Sequence, residues 1–311
     1  MAQLSIGIVG LGRMGGNMAR RLARGGVRVV GHDAMPGAGA LLEEEGAIVA
    51  AESIAALVGA LPVPRVVWLM VPAGEPTETT LGTLAATLAP GDTIVDGGNA
   101  NYKDSQRRAG DLAPRGVQFV DCGVSGGVWG LDNGYALMFG GTPDAARAVG
   151  DYMRILAPAP DRGWLHCGPA GAGHFVKMIH NGIEYAMMQA YAEGFALLDG
   201  KHEFGLDTAA IAETWRHGSV VRAWLLDLIA EFLARDATLD AIAPHVADSG
   251  EGRWTVAEAI EQGVPAPVFA LALMSRFSSQ GRGDYANRML ARMRQAFGGH
   301  AVRGADPGTR G

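Results

Sequence analysis

The chain has 311 residues, a length that suits two packed domains. Hydrophobic residues make up 48% and charged residues 19%, which excludes a disordered chain. A formal charge of −6 argues against a nucleic-acid surface, and the small basic groups RRLARGG and QRRAGD read as solvated helix faces rather than phosphate tracks. In chain order, LSIGIVG, VRVVGHD, RVVWLMV, DTIVDGG, VQFVDCG and GYALMFG read as strands, because unbroken Val, Ile and Leu suit a sheet buried on both faces. Helical patterns such as GGNMARRLARGG and TETTLGTLAATLAP lie between them. This rhythm predicts an α/β fold: a Rossmann-type, doubly wound, mostly parallel sheet over residues 1–168. From residue 169 to 300 almost everything has helical period, broken by DSGEGRW, GVPAP and SSQGRGD, so an all-helical C-terminal domain is expected. The glycine-rich segment 301–311 reads as a flexible tail.

The first strand runs directly into GLGRMG, Gly10 to Gly15, which opens a helix. Gly10 permits the tight turn, Gly12 lets the backbone approach a pyrophosphate, and Gly15 lets the helix pack on the strand. Leu11, Arg13 and Met14 complete this candidate cofactor loop. Asp33 ends the second strand, near the spacing of about 20 residues at which an acid binds the adenine ribose. Its charge repels a 2′-phosphate, and Ala34 offers no guanidinium, so NAD is expected to bind better than NADP. The loops Val71-Pro72-Ala73-Gly74 and DGGNAN follow later strands and face the same crevice. Asn99 suits a nicotinamide ribose or a substrate, although an asparagine after two glycines is equally a turn residue.

KMIHNGIEY raises a different question, because it sets Lys177, His180, Asn181, Glu184 and Tyr185 as one narrow polar stripe on an otherwise apolar helix. Lys177 and Glu184 are two turns apart, about 10 Å along the axis at 1.5 Å per residue, which leaves room for a small polyol acid. Glycines at 168, 171 and 173 let a bulky group approach the helix start. The alternative is a plain solvated face.

Together, GLGRMG, DCGVSGG, GAGHFVKMIHNGIEY, GRWT and RQAFGGH resemble the decarboxylating 6-phosphogluconate dehydrogenases, in particular their short bacterial form, within the β-hydroxyacid dehydrogenase superfamily. The resemblance runs to about His300 and is most specific in GAGHFVKMIHNGIEY. It implies oxidative decarboxylation of 6-phosphogluconate to ribulose 5-phosphate and CO2, with reduction of NAD. At matching positions it implies Lys177 as catalytic base and Glu184 as catalytic acid, with Asn181 beside them. It implies Asn99, Ser125, Gly126, Gly127, His180, Asn181 and Tyr185 as substrate contacts, with Arg253 and Arg276 at the phosphate. Arg294 and His300 match residues lent to the neighbouring subunit, which implies a homodimer or homotetramer. Read alone, Arg253 and Arg276 are ordinary surface arginines and Ser125 to Gly127 a plain turn.

The chain departs from longer members. Asp33 and Ala34 stand where NADP-dependent members carry asparagine and arginine, Pro72 replaces a lysine, and the C-terminal region is shorter. Two other readings stay open: a non-decarboxylating β-hydroxyacid dehydrogenase of the 3-hydroxyisobutyrate type, and a non-catalytic NAD-binding regulator. The first has little use for Glu184 or the two arginines. Cys122 and Cys167 lack CxxC spacing and are expected as buried, reduced thiols. No HExxH or paired CxxC occurs, so no metal is expected. No basic region precedes MAQLSIGIVG, and VVWLMVPAG is too short to span a bilayer, so a cytoplasmic protein without a membrane partner is expected.

Overall fold

The computed structural model describes residues 3–298 and 301–303. Strands β1 (Ser5–Val9), β2 (Arg28–His32), β3 (Val49–Ala50), β4 (Val66–Leu69), β5 (Thr93–Asp96), β6 (Gln118–Ser125), β7 (Ala136–Gly141) and β8 (Trp164–Gly168) form one sheet. Their order is β3-β2-β1-β4-β5-β6-β7-β8, and every neighbouring pair is parallel except β6 with β7. The order reverses direction at β1 and β4, the switch point outside which such sheets bind ligands.

Alternating residues explain the unbroken apolar runs. Ile6, Ile8, Val29, Trp68, Val95 and Val120 point into one buried cluster; Val9, Val30, Val67, Leu69, Ile94 and Phe119 point into another. Helices α1 (Arg13–Arg24), α2 (Ala40–Glu44), α3 (Ile54–Gly59), α4 (Glu75–Thr87), α5 (Tyr102–Leu112), α6 (Gly130–Asn133) and α7 (Pro143–Leu156) accompany the sheet. Met18 and Leu22 of α1 and Val149 and Met153 of α7 join the first cluster; Leu57 of α3, Leu81 and Leu84 of α4 and Leu112 of α5 join the second. The six expected strands all lie in this sheet. The sequence reading missed β3 and β8: β3 is two residues long, and Trp164–Gly168 has mostly half-buried or exposed side chains, so neither shows an apolar run.

Helix α8 (Ala172–Asp199) follows, and the chain divides within it into two compact units, the first ending at His180 and the second starting at Asn181. Among the described residues the regular elements of the second unit are all helices: the remainder of α8, then α9 (Thr208–Trp215), α10 (Trp224–Leu233), α11 (Glu251–Gln262), α12 (Pro267–Ser279) and α13 (Asp284–Gly298), with residues 234–250 outside any of them. GVPAP and SSQGRGD fall at the junctions before α12 and α13, whereas only the first three residues of DSGEGRW precede α11 and the rest form its first turn. Ala212, Leu226, Ala230 and Leu233 form its buried cluster, with Tyr191, Phe195 and Trp215 packed against it.

The basic groups need correction. Arg20 does meet Glu45 at the surface, but Arg21 donates to the carbonyls of Ile155, Leu156 and Ala157 at the end of α7. In QRRAGD, Gln106, Arg107, Gly110 and Asp111 are exposed as expected, but Arg108 is only 2% exposed and pairs with Asp96. The face that α5 buries is Ser105, Arg108 and Leu112, a helical spacing that a count of charges hides. Both cysteines are free thiols; Cys122 is buried and Cys167 half-buried. Burial raises the Cys122 pKa well above the ordinary thiol value, which keeps it an inert, protonated core group.

Candidate active site

The glycine loop after β1 is shaped by close approaches. Gly10 has φ +95°, and a Cβ there would lie 2.5 Å from the Met70 carbonyl oxygen. A Cβ on Gly15 would lie 1.9 Å from the Gly10 carbonyl oxygen, so only glycine lets α1 pack this closely on the turn. Gly12 differs, because a Cβ there would meet nothing within 4 Å. It caps α1 without a side-chain hydrogen bond, leaving first-turn N–H groups for an anion. Leu11 lies within this turn, and Arg13 and Met14 begin α1. The Asp33 carboxylate accepts from the Leu11 N–H at 2.7 Å and the Met35 N–H at 2.8 Å, which ties the end of β2 to the glycine loop. A cavity of about 550 Å³ opens there, and its described lining includes Asp33, Glu43 and Glu52 but no lysine or arginine. This donor set fits a dinucleotide with free ribose hydroxyls and repels one carrying a 2′-phosphate.

Two more loops follow the parallel strands β4 and β5. Thr77 of α4, fully buried, donates from Oγ1 to the Pro72 carbonyl at 2.8 Å and so fixes the Val71-Pro72-Ala73 loop. Asp96 ends β5; its Oδ1 accepts from the Gly98 N–H at 3.1 Å and its Oδ2 from Arg108 at 2.8 Å. Arg108 also donates to Glu78 of α4 at 2.8 Å. Burial works against the Glu78 carboxylate, but hydrogen bonds from Arg107 and Arg108 outweigh it and hold its pKa below the ordinary value. A Cβ on Gly98 would lie 3.0 Å from the Val71 carbonyl oxygen, so the two loops are packed and clamped together. Asn99 is exposed beyond Gly98 and is free of the turn-capping job, which Asn101 performs by accepting from the Lys103 N–H at 3.0 Å.

Lys177 of α8 is 7% exposed and lies against β6, where a Cβ on Gly123 would sit 2.2 Å from the lysine Cβ. Its Nζ is 3.3 Å from His180 Nδ1, and His180 Nε2 is 3.2 Å from Ser125 Oγ at the end of β6. His180 thus bridges Lys177 and Ser125. Gly126 and Gly127 follow with φ +136° and +52°, conformations that favour glycine. Further along α8, Asn181 and Tyr185 are 8% and 6% exposed and Glu184 is half-buried, so the polar stripe is not a plain solvated face.

In the second unit, glycines admit α11 against α8: a Cβ on Gly182 would lie 2.6 Å from Thr255 Cγ2, and one on Gly252 2.6 Å from the Tyr185 ring. Tyr185 OH meets Ser249 Oγ at 3.0 Å, and Ser249 donates to the buried Glu251. The Arg276 guanidinium lies 3.4 Å from the Tyr185 ring centroid and donates to the Ala247 carbonyl at 2.7 Å. Arg253 donates to Asp248 at 2.5 Å and stands over the Phe277 ring. Burial alone raises the Asp248 pKa, but hydrogen bonds from Arg253 and the Gly250 N–H bring it below the ordinary carboxylate value. Arg253, Arg282, His245 and Asp248 line an open cavity of about 500 Å³. Arg282 and His245 were not anticipated; no motif in their sequence surroundings marks them. Arg294 is exposed on α13, and His300 lies outside the described residues, as do residues 304–311 of the tail. Among the described residues no cluster could hold a metal ion, and no helix is long and apolar enough to cross a membrane.

Family comparison joins these parts. Residues 5–164 match the NAD binding domain of 6-phosphogluconate dehydrogenase, and residues 173–303 match the C-terminal domain of 6-phosphogluconate dehydrogenase. The chain belongs to the 6-phosphogluconate dehydrogenase family. It is an oxidoreductase with an NAD-binding first domain. It is 41% identical over 301 residues to the NAD(+)-dependent decarboxylating 6-phosphogluconate dehydrogenase of Haloferax volcanii, covering 96% of this chain and 98% of the relative. A similarly named enzyme of Bacillus subtilis is 34% identical over 287 residues, 88% of this chain but 61% of the relative. The structure of Plasmodium falciparum 6-phosphogluconate dehydrogenase superposes with a TM-score of 0.82 at 26% identity, covering 98% of this chain and 67% of that one. Mycobacterium tuberculosis 3-hydroxyisobutyrate dehydrogenase shares the fold at a TM-score of 0.72 and 22% identity, over 91% of this chain and 94% of that one.

Proposed function

We propose that this enzyme oxidises 6-phosphogluconate at its 3-hydroxyl, releases CO2 and forms ribulose 5-phosphate, with NAD as its preferred cofactor. The observation that carries the reading is Lys177, a lysine buried to 7% exposure and in contact with His180, on the helix that also bears Asn181, Glu184 and Tyr185. NAD preference is supported by the carboxylate-lined cavity at Asp33 and by the name of the Haloferax relative. Gly10, Leu11, Gly12, Arg13, Met14, Gly15, Asp33, Val71, Pro72, Ala73 and Asn99 would hold the cofactor.

When bound, NAD supplies the hydride acceptor. Lys177, starting as the neutral amine, takes the proton from the 3-hydroxyl as C3 becomes a ketone. The resulting ammonium donates to the new carbonyl oxygen and stabilises the enolate left when the C1–C2 bond breaks and CO2 departs. Lys177 returns its proton to that oxygen and gives an enediol. Glu184 then protonates the terminal carbon while Lys177 takes back the proton of the hydroxyl on the former C3, which becomes the ketone; transfer from ammonium to carboxylate restores both groups. Asn99, Ser125, Gly126, Gly127, His180 and Asn181 orient the sugar acid. Tyr185 is a further substrate contact, and Arg253 and Arg276 receive the phosphate, for which the planar guanidinium fork is suited. The enzyme works in the cytoplasm as a homodimer or homotetramer, with Arg294 and His300 completing a neighbouring site.

The test follows NADH and CO2 with 6-phosphogluconate, comparing NAD with NADP, for the native enzyme and Lys177→Met. Turnover should fall by at least about 1,000-fold in the variant, a loss of about 4 kcal/mol of transition-state stabilisation, while NAD still binds in calorimetry. Near-native turnover in Lys177→Met, or NADH formation without CO2, defeats the proposal.

A further inference from the structure

We propose that Asp121, a residue outside the reacting groups, is the positioning residue that sets where Lys177 stands; the inference rests on the reading of Lys177 as the base. Asp121 is fully buried on β6, opposite Gly140 of β7. Its Oδ1 accepts from the Gly171 N–H at 2.6 Å and its Oδ2 from the His174 N–H at 2.8 Å. These amides belong to the start of α8, where no helical carbonyl can reach them and the helix dipole favours a negative group. Two bonds from one rigid carboxylate fix both the rotation and the axial setting of the helix.

Strand alternation carries that setting forward. Asp121, Gly123 and Ser125 share one face of β6. Asp121 binds the amide of His174, Gly123 abuts the side chain of Lys177, and Ser125 meets His180. Each two-residue step along the strand therefore meets one further turn of α8, and Asp121 anchors the end of the series. Glycines make the contact close: a Cβ on Gly173 would lie 2.5 Å from the Asp121 carbonyl oxygen, and one on Gly140 2.8 Å from Asp121 Oδ1. His174 Nδ1, 2.7 Å from Ser105 Oγ, adds a second hold on the same turn from α5. Slipping the helix by one residue would move Lys177 by about 1.5 Å and turn it by about 100°.

The deciding experiment measures kcat, KM for 6-phosphogluconate and Kd for NAD in Asp121→Asn. An asparagine keeps the shape but offers one acceptor and turns an N–H₂ toward the other amide. A misplacement of about 1 Å can cost about 100-fold in rate, so kcat should drop more than about threefold, with KM and Kd moving less than that. A kcat within about threefold of native, even with a lower melting temperature, overturns the inference and leaves Asp121 as a structural cap. Gly123→Ala keeps the carboxylate and crowds Lys177 directly; it should show the same split, and an unchanged kcat there is equally fatal. In the native enzyme the Gly171 and His174 amides should exchange slowly with solvent, and rapid exchange at both refutes the anchor should the variants be insoluble. Lys177→Met assayed alongside separates the failures: activity in that variant removes the base itself, whereas an inactive Lys177→Met beside a near-native Asp121→Asn removes only the positioning role.

Discussion

One ion pair from each unit shows two ways of holding charge. In the first, Arg108 and Asp96 have side chains 2% and 1% exposed and meet at 2.8 Å behind the Gly97-Gly98-Asn99 loop. In the second, Arg216 and Asp227 also meet at 2.8 Å, but with side chains 35% and 41% exposed. Equal distance does not mean equal consequence. A charge that has lost its water depends on its partner, whereas a charge at the surface finds solvent again. The Arg108–Asp96 pair thus fixes the loop after β5, whereas Arg216 keeps contact with water.

Breaking the buried pair should have the largest effect on stability. Arg108→Met leaves Asp96 uncompensated, and thermal unfolding should show a loss of about 3–5 kcal/mol, together with weaker NAD binding as the two loops loosen. A loss below about 1 kcal/mol would erase the contrast between the units. Arg253→Met sharpens it from the other side. Losing a charge-assisted bond of about 1.5–3 kcal/mol should raise KM for 6-phosphogluconate by about 10–100-fold while kcat changes less. An unchanged KM would detach Arg253 from the phosphate. Arg216→Met should alter stability by less than about 1 kcal/mol and leave both kinetic constants alone.

The smallest effect is in acid. The Asp248 pKa in the folded protein lies below the ordinary 3.8, so its contribution to stability is fully present above that value. It is lost as pH falls through the lower, folded value, because the unfolded chain then binds the proton more readily. Denaturant titrations between neutral pH and about pH 3 should therefore show a shallower acid-side decline in Asp248→Asn than in the native enzyme. An identical decline would mean that the Arg253 pairing does not persist in solution.

Much of the first unit was legible because its strands are buried on both faces, so most positions are apolar and the run announced itself. The edge strands β3 and β8 lack that demand. The glycine loop was legible because only glycine meets its steric demands at Gly10 and Gly15. Lys177 was legible as an exception to an apolar helix. Arg108 was misread because neighbouring letters in QRRAGD point to different sides of α5, and only the packed helix selects which arginine is buried.

The sequence by itself determined most kinds of element, the glycine loop and a set of candidate site residues, because these follow from local periodicity, backbone sterics and residue chemistry. Tertiary structure decided where the candidate groups stand. Asp121 reaches backbone amides 50 and 53 residues away, and Arg108 joins a strand end to a separate helix. Amides carry no letter of their own in a sequence, and a buried charge is recognisable only once the chain has folded around it.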